Sequence, residues 1–307
     1  MLGKGKPPEK AGRKATGLGK KQAAGLPGAH RTNSVISSKI EIKRASGKLR
    51  AMTTIFNIFS FVFGAVVGSF LNVCIYRLPE GNSIVRPLSR CPHCLHPIRF
   101  YDNIPLVSFL LLGAKCRDCG GKISWRYPLV ELISAIFSLL LFIKFGATLN
   151  FLVFFIFTAV LIVITFIDLD HRIIPDVLTL PGIVVFTAAA IFIVGVPWLE
   201  ALIGLVAGGG VLFLIGLVYE LLKKVEGMGG GDVKLLAMIG GFFGWKSLIF
   251  VLLFSSLTGA VAGVTAMIVH KKDLKYAVPF GPFLSAGAVA YIFLRDLVSQ
   301  WLLMTGL

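Results

Sequence analysis

The strongest constraint on this chain is a series of apolar runs too long for a soluble domain. The first, "IFNIFSFVFGAVVGSFLNVCIY" at 55–76, has no charged residue. A bilayer core is about 30 Å thick and takes roughly 20 apolar residues to cross as a helix. Backbone groups find no water in lipid, so a span must be a helix or part of a closed barrel. These runs are continuous, not alternating, which selects helices. Similar segments recur at about 128–146, 151–167, 177–195, 198–222, 247–269 and 279–302, with a shorter one, "VKLLAMIGGFFGW", at 233–245. The expected fold is all-α: a polytopic membrane helix bundle of about eight transmembrane helices. A mean hydropathy of +0.83 agrees.

The net charge of +16 does not describe the membrane part. Residues 1–50 hold 13 Lys and Arg against Glu9 and Glu41, and are rich in Gly, Ala, Ser and Pro. Such a composition buries too little apolar surface to fold alone. Residues 1–51 are expected to be a basic, disordered extension. Membrane lipid, not nucleic acid, is the expected partner of the basic segments.

Loop charge sets the expected orientation. The 77–127 loop carries eight cations from Arg77 to Arg126. Later alternate loops carry His171 and Arg172, then Lys223 and Lys224, then His270 to Lys275. The intervening loops hold almost none, so the basic side is expected to face the cytoplasm. Both chain ends would then lie outside, which conflicts with the basic extension. The mature protein is therefore expected to start near Met52. The expected organisation is a first span at 52–76, a cytoplasmic loop domain at 77–127 and a membrane catalytic domain at 128–307.

That loop contains "CPHC" at 91–94 and "CRDC" at 116–119. Two Cys-x-x-Cys pairs suit a four-thiolate zinc site formed by Cys91, Cys94, Cys116 and Cys119. A reducing cytosol disfavours disulfides. His93 and His96 are alternative ligands, and Cys74, inside the first span, is expected to be a packing residue. Asn72, Arg77 and Glu131 are polar residues at span edges with no role assignable from sequence.

Carboxylates at membrane edges are costly to bury and are functional candidates. Asp168 ends the third span, and Asp232, behind the glycines of "EGMGGGDVKLL", begins the sixth. The chain goes out and returns between them, so both fall on one face. Two close carboxylates share a proton, so that one activates water while the other polarises a carbonyl. Gly229, Gly230 and Gly231 would admit an extended substrate or a positive φ. Alternatives stay open: a helix cap, a phosphate site, or a transporter binding a proton or cation at the two aspartates. Asp170 and Asp176 compete for the first position, with Asp176 suited to cap the fourth span. The helix dipoles favour a proton on Asp168, at a helix end, over Asp232, at a helix start.

"IDLDHRIIPD" followed by "GMGGGDVKLL" resembles the bacterial type IV prepilin leader peptidases, membrane aspartyl proteases of the Gly-x-Gly-Asp type. "GSFLNVCIYRLP" at 68–79 and "YDNIPLVSFLLLGAKCRDCG" at 101–120 are similar to that family's N-terminal region. The resemblance runs from about residue 55 to the C-terminus. It implies that Asp168, seven residues before Pro175, and Asp232 are the catalytic pair. It also implies cleavage of a short basic leader from prepilins and pseudopilins at the cytoplasmic side of the inner membrane. Bifunctional members then methylate the new N-terminus with S-adenosylmethionine, and carry a four-cysteine loop.

Overall fold

The structure, a computed structural model, describes residues 29–86, 89–223, 229–270 and 279–305. The chain divides into two units, Met1–Thr53 and Thr54–Leu307. Residues 1–28 lie outside the described residues. From there the chain is helical in α1, Ala29–Arg77, of which Met52–Arg77 is long and apolar enough to span a bilayer. The loop that follows has one 3₁₀ turn, Phe100–Asn103, and a short α2, Val107–Leu111. Then come α3 (Arg126–Phe145), α4 (Leu149–His171), α5 (Asp176–Ala189, continued by a π-helical turn Ala190–Val194), α6 (Trp198–Lys223), α7 (Gly230–Phe243), α8 (Trp245–His270) and α9 (Gly281–Thr305).

Among the described residues, seven of the eight expected spans are helices long and apolar enough to cross a membrane. The exception is α7, whose 14 residues rise only about 21 Å. It nevertheless reaches both ends of the bundle. Its first turn touches Ile174, just beyond α4, and its C-terminal Gly244 lies against Glu200 at the start of α6. Gly244, at φ +84°, turns the chain directly into α8.

Close helix approach depends on small residues. A Cβ on Gly208 of α6 would stand 3.0 Å from the carbonyl carbon of Leu236, and one on Gly204 would stand 2.7 Å from Gly244. The same spacing recurs in α1, where Cβ atoms on Gly64 and Gly68 would meet Ala135 and Glu131 of α3 at 2.8 and 2.7 Å. With lipid outside, helices gain from such van der Waals contact and from polar pairs between them. Ser60 and Ser138 supply one such pair, each hydroxyl donating to the other's backbone carbonyl. The central core is aromatic: Phe157 stacks on Phe242 at 4.3 Å, with Phe154, Phe186 and Phe243 around them. This core fixes α4 against α7, the two helices that carry Asp168 and Asp232.

Candidate active site and metal centre

Asp168 sits in the last turn of α4 and is buried. Arg172 ends that helix in the left-handed conformation, its N–H donating to the Asp168 carbonyl. Asp232 lies in the first turn of α7, whose N-cap is Gly229. The two acids meet through a chain of contacts. Gly231 lies against Ile174, Ile174 lies against Gly281 at the start of α9, and Gly281 lies against Asp168. One oxygen of Asp168, Oδ2, accepts the backbone N–H of Gly281 at 3.1 Å. In contrast, Oδ1 of Asp232 is buried with no hydrogen-bond partner among the described residues.

Of the four aspartates on or beside α4, α5 and α7, two are already neutralised. Asp170 is exposed and paired with Arg126 of α3. Asp176 is exposed and paired with Lys234 of α7 at 2.7 Å. Asp176 is the first residue of α5 and does not cap it, because the cap position belongs to Pro175. Only Asp168 and Asp232 have no ion pair among the described residues.

Gly229 has φ −64°, and Gly230 and Gly231 are helical, so none of them uses a positive φ. A Cβ on Gly231 would stand 2.7 Å from the Cβ of Ile174, so this glycine is required for the approach of α7 to the loop after α4. Gly230 faces open space and Gly229 meets only Oδ2 of Asp232, at 3.8 Å from a built Cβ. Gly227 lies outside the described residues.

Gly281 and Lys234 are residues that sequence reasoning missed. The Gly-Pro pair at 281–282, at the start of an apolar run on the same side as Asp168, was the available signal. Magnitudes matter here. A helix dipole contributes ~0.3–1 kcal/mol at an exposed terminus and up to ~2 kcal/mol in a partly buried one, whereas a hydrogen bond to a charged group contributes about 1.5–3 kcal/mol. The Gly281 contact is therefore at least comparable with the dipole at the end of α4 and opposes it.

The four cysteine sulfurs all lie within 4.8 Å of one another. A tetrahedron with Zn–S bonds of about 2.3 Å has edges of about 3.8 Å, and Cys91 and Cys119 are 3.8 Å apart. The residues fit a zinc ion, with neither His93 nor His96 in the cluster. Both knuckles have the same construction. The N–H of Cys91 donates to His96 O and that of Leu95 to Cys91 O, while the N–H of Cys116 donates to Gly121 O and that of Gly120 to Cys116 O. Leu95 and Gly120 occupy matching positions with φ +59° and +69°. The backbone N–H of Cys94 brings the Cys91 thiol down to about 6. At Cys119 the N–H of Gly121 also favours the thiolate. Desolvation and the other three sulfurs outweigh it and push that thiol up to about 12. One thiolate forms readily and repels the next, a conflict that a bound cation removes.

The remaining candidates from the sequence tie this loop to the helices. Glu131, buried on α3, accepts the N–H of Leu106, a residue at φ +62°. Asn72 donates to the carbonyls of Gly68 and Tyr127, and Arg77 to that of Ser83. Cys74 is a buried packing residue. A cavity of about 360 Å³ lined by Lys144, Phe154, Phe243 and Arg295 lies at the far end of the bundle from the two aspartates.

Two family models match the chain: the bacterial peptidase A24 N-terminal domain over residues 62–145, and the type IV leader peptidase family over residues 155–264. A prepilin leader peptidase/N-methyltransferase of Aeromonas salmonicida (strain A449) is 39% identical over 274 residues, covering 80% of this chain and 93% of the relative. The protein of that name from Pseudomonas aeruginosa is 37% identical over 271 residues, covering 80% and 93%. One from Myxococcus xanthus is 42% identical over 214 residues, covering 70% and 64%. No solved structure matches.

Proposed function

Because the chain belongs to the type IV leader peptidase family, we propose that it cleaves the leader from type IV prepilins and pseudopilins and then N-methylates the new N-terminus. Asp168 and Asp232 are the catalytic pair. What supports this reading is that, of the four aspartates on α4, α5 and α7, these two alone have no ion pair among the described residues. They converge from α4 and α7 onto Ile174 and the start of α9. With one proton between them, one acid activates a water and the other polarises the scissile carbonyl.

The site faces the cytoplasm, as the basic loops require. A prepilin would place its apolar helix against the membrane spans and keep its basic leader at the cytoplasmic surface. Gly230, open to its surroundings, is the glycine of the run best placed to meet an extended substrate backbone. The loop at 77–127 is a domain stapled by one structural zinc. The zinc supplies folding energy and no step of the cleavage.

S-adenosylmethionine is the methyl donor. Among the described residues there is no glycine turn between a strand and a helix to cradle it.

The test is reconstitution of the full chain in lipid with a purified prepilin. A shortened, N-methylated pilin is expected, identified by mass spectrometry. A pilin of unchanged length in the presence of folded, zinc-loaded protein would refute the reading.

A further inference from the structure

We infer that the backbone N–H of Gly281 makes Asp168 the base of the pair and leaves the shared proton on Asp232. This rests on the reading that Asp168 and Asp232 are the catalytic pair. It reverses the order that helix dipoles alone would give.

Two independent observations carry it. First, Oδ2 of Asp168 accepts the Gly281 N–H at 3.1 Å. An N–H donor favours the ionised form of its acceptor. Glycine is what allows that approach, since a Cβ at 281 would stand 2.6 Å from Asp168 Oδ2 and 3.0 Å from Ile174 Cδ1. Second, Asp232 buries Oδ1 with no partner among the described residues. An ionised oxygen is costly in such a place, whereas a neutral carboxyl is tolerated there. Among the described residues, two cations on the elements that meet here are engaged with other acids. Arg126 is paired with Asp170, and Lys234 with Asp176.

The chemistry follows with its protons balanced. Water attacks the scissile carbonyl carbon and loses a proton to Asp168, whose Oδ1 is not taken by Gly281. In the same step Asp232 gives its proton to the carbonyl oxygen, forming a gem-diol. Collapse breaks the C–N bond. Asp168 returns its proton to the leaving amine, and Asp232 recovers one from a diol hydroxyl. The pair ends as it began, with Asp168 ionised and Asp232 protonated. Gly281 is a positioning residue throughout, acting only through Asp168.

The test is cleavage of a purified prepilin by the full-length protein in lipid, with kcat/KM followed against pH. Gly281→Ala should displace the Asp168 carboxylate from the N–H. The acid limb, which reports the first ionisation of the pair, should move to higher pH. Activity on that limb should fall about tenfold with KM nearly unchanged. If folded Gly281→Ala instead moves only the alkaline limb, or loses activity equally at every pH, the inference is overturned.

A second comparison does not depend on that variant folding. Asn can imitate a neutral acid but not a base, so Asp232→Asn should retain at least tenfold more residual cleavage than Asp168→Asn. Equal or reversed residuals overturn the proton order. Full activity in either variant would instead refute the catalytic pair itself.

Discussion

Lys234 holds Asp176 with Nζ 2.7 Å from Oδ1 and 2.8 Å from Oδ2, linking α7 to the start of α5 two residues beyond Asp232. This ion pair anchors the first turn of α7 while leaving Asp232 without a cation of its own. Both partners are substantially exposed, so solvent screens the pair and its contribution to stability is at most about 1 kcal/mol. Its larger effect is on register. Lys234→Met should therefore lower prepilin cleavage several-fold while shifting the thermal midpoint little. Equal losses of cleavage and of folded protein in a side-by-side measurement would contradict this.

Loss of either proton-transfer group should be far more damaging. General acid–base contributions are about 10²–10⁴-fold, so Asp168→Asn and Asp232→Asn should each lose at least two orders of magnitude in cleavage rate. Asp170→Asn, which removes only an exposed partner of Arg126, should stay within a few-fold of the parent. A gel-shift assay with a co-expressed prepilin, normalised to the amount inserted, separates these outcomes.

Metal content offers a third check. Elemental analysis should find one zinc per chain, and Cys116→Ser should abolish its retention. Because the ligands must be deprotonated, zinc uptake releases protons and tightens as pH rises. Chelation should expose the loop to protease and impair methylation before cleavage, since the aspartates belong to other elements. Parallel loss of both activities across all four cysteine variants would show the two functions to be inseparable.

The paired knuckles predict opposite responses at equivalent positions. Gly120 has φ +69°, a region that costs a residue with a Cβ roughly 1–2 kcal/mol. Gly120→Ala should weaken zinc retention. Leu95 already bears that strain at φ +59°, so Leu95→Gly should be neutral or stabilising. Competition with a colorimetric zinc chelator ranks the three proteins, and a weaker Leu95→Gly would show that the Leu95 side chain has a role of its own.

The loop also contains an acid-sensitive contact. Arg117 donates from Nε to both oxygens of Asp102 and from Nη2 to Oδ1, and holds its carboxyl below the ordinary value of 3.8. A depressed acid contributes stability above its unfolded value and loses it as pH falls through the folded one. The contact should therefore be intact at pH 5 and fail only below about 3.8. Arg117→Ala should move the acid loosening of the loop upward, as read by hydrogen exchange.

The sequence by itself determined that this is a bundle of membrane helices, because runs of apolar residues have few other ways to satisfy their backbones in lipid. It also determined the cysteine cluster, since two Cys-x-x-Cys knuckles bring their own local geometry with them. The candidacy of Asp168 and Asp232 was legible for a similar reason: charge at an apolar boundary is visible without a fold. Choosing among the aspartates from the residues alone was not possible, because Asp170 and Asp176 are set apart by partners 44 and 58 residues away. The run at 233–245 was legible as a short span, but what lets α7 reach both ends of the bundle is its packing against the glycines of α6, which only the tertiary structure shows. The Gly281 contact spans 113 residues. No local pattern encodes it, because a backbone N–H looks the same in every sequence, and only the meeting of α4 and α9 gives this one a carboxylate to hold.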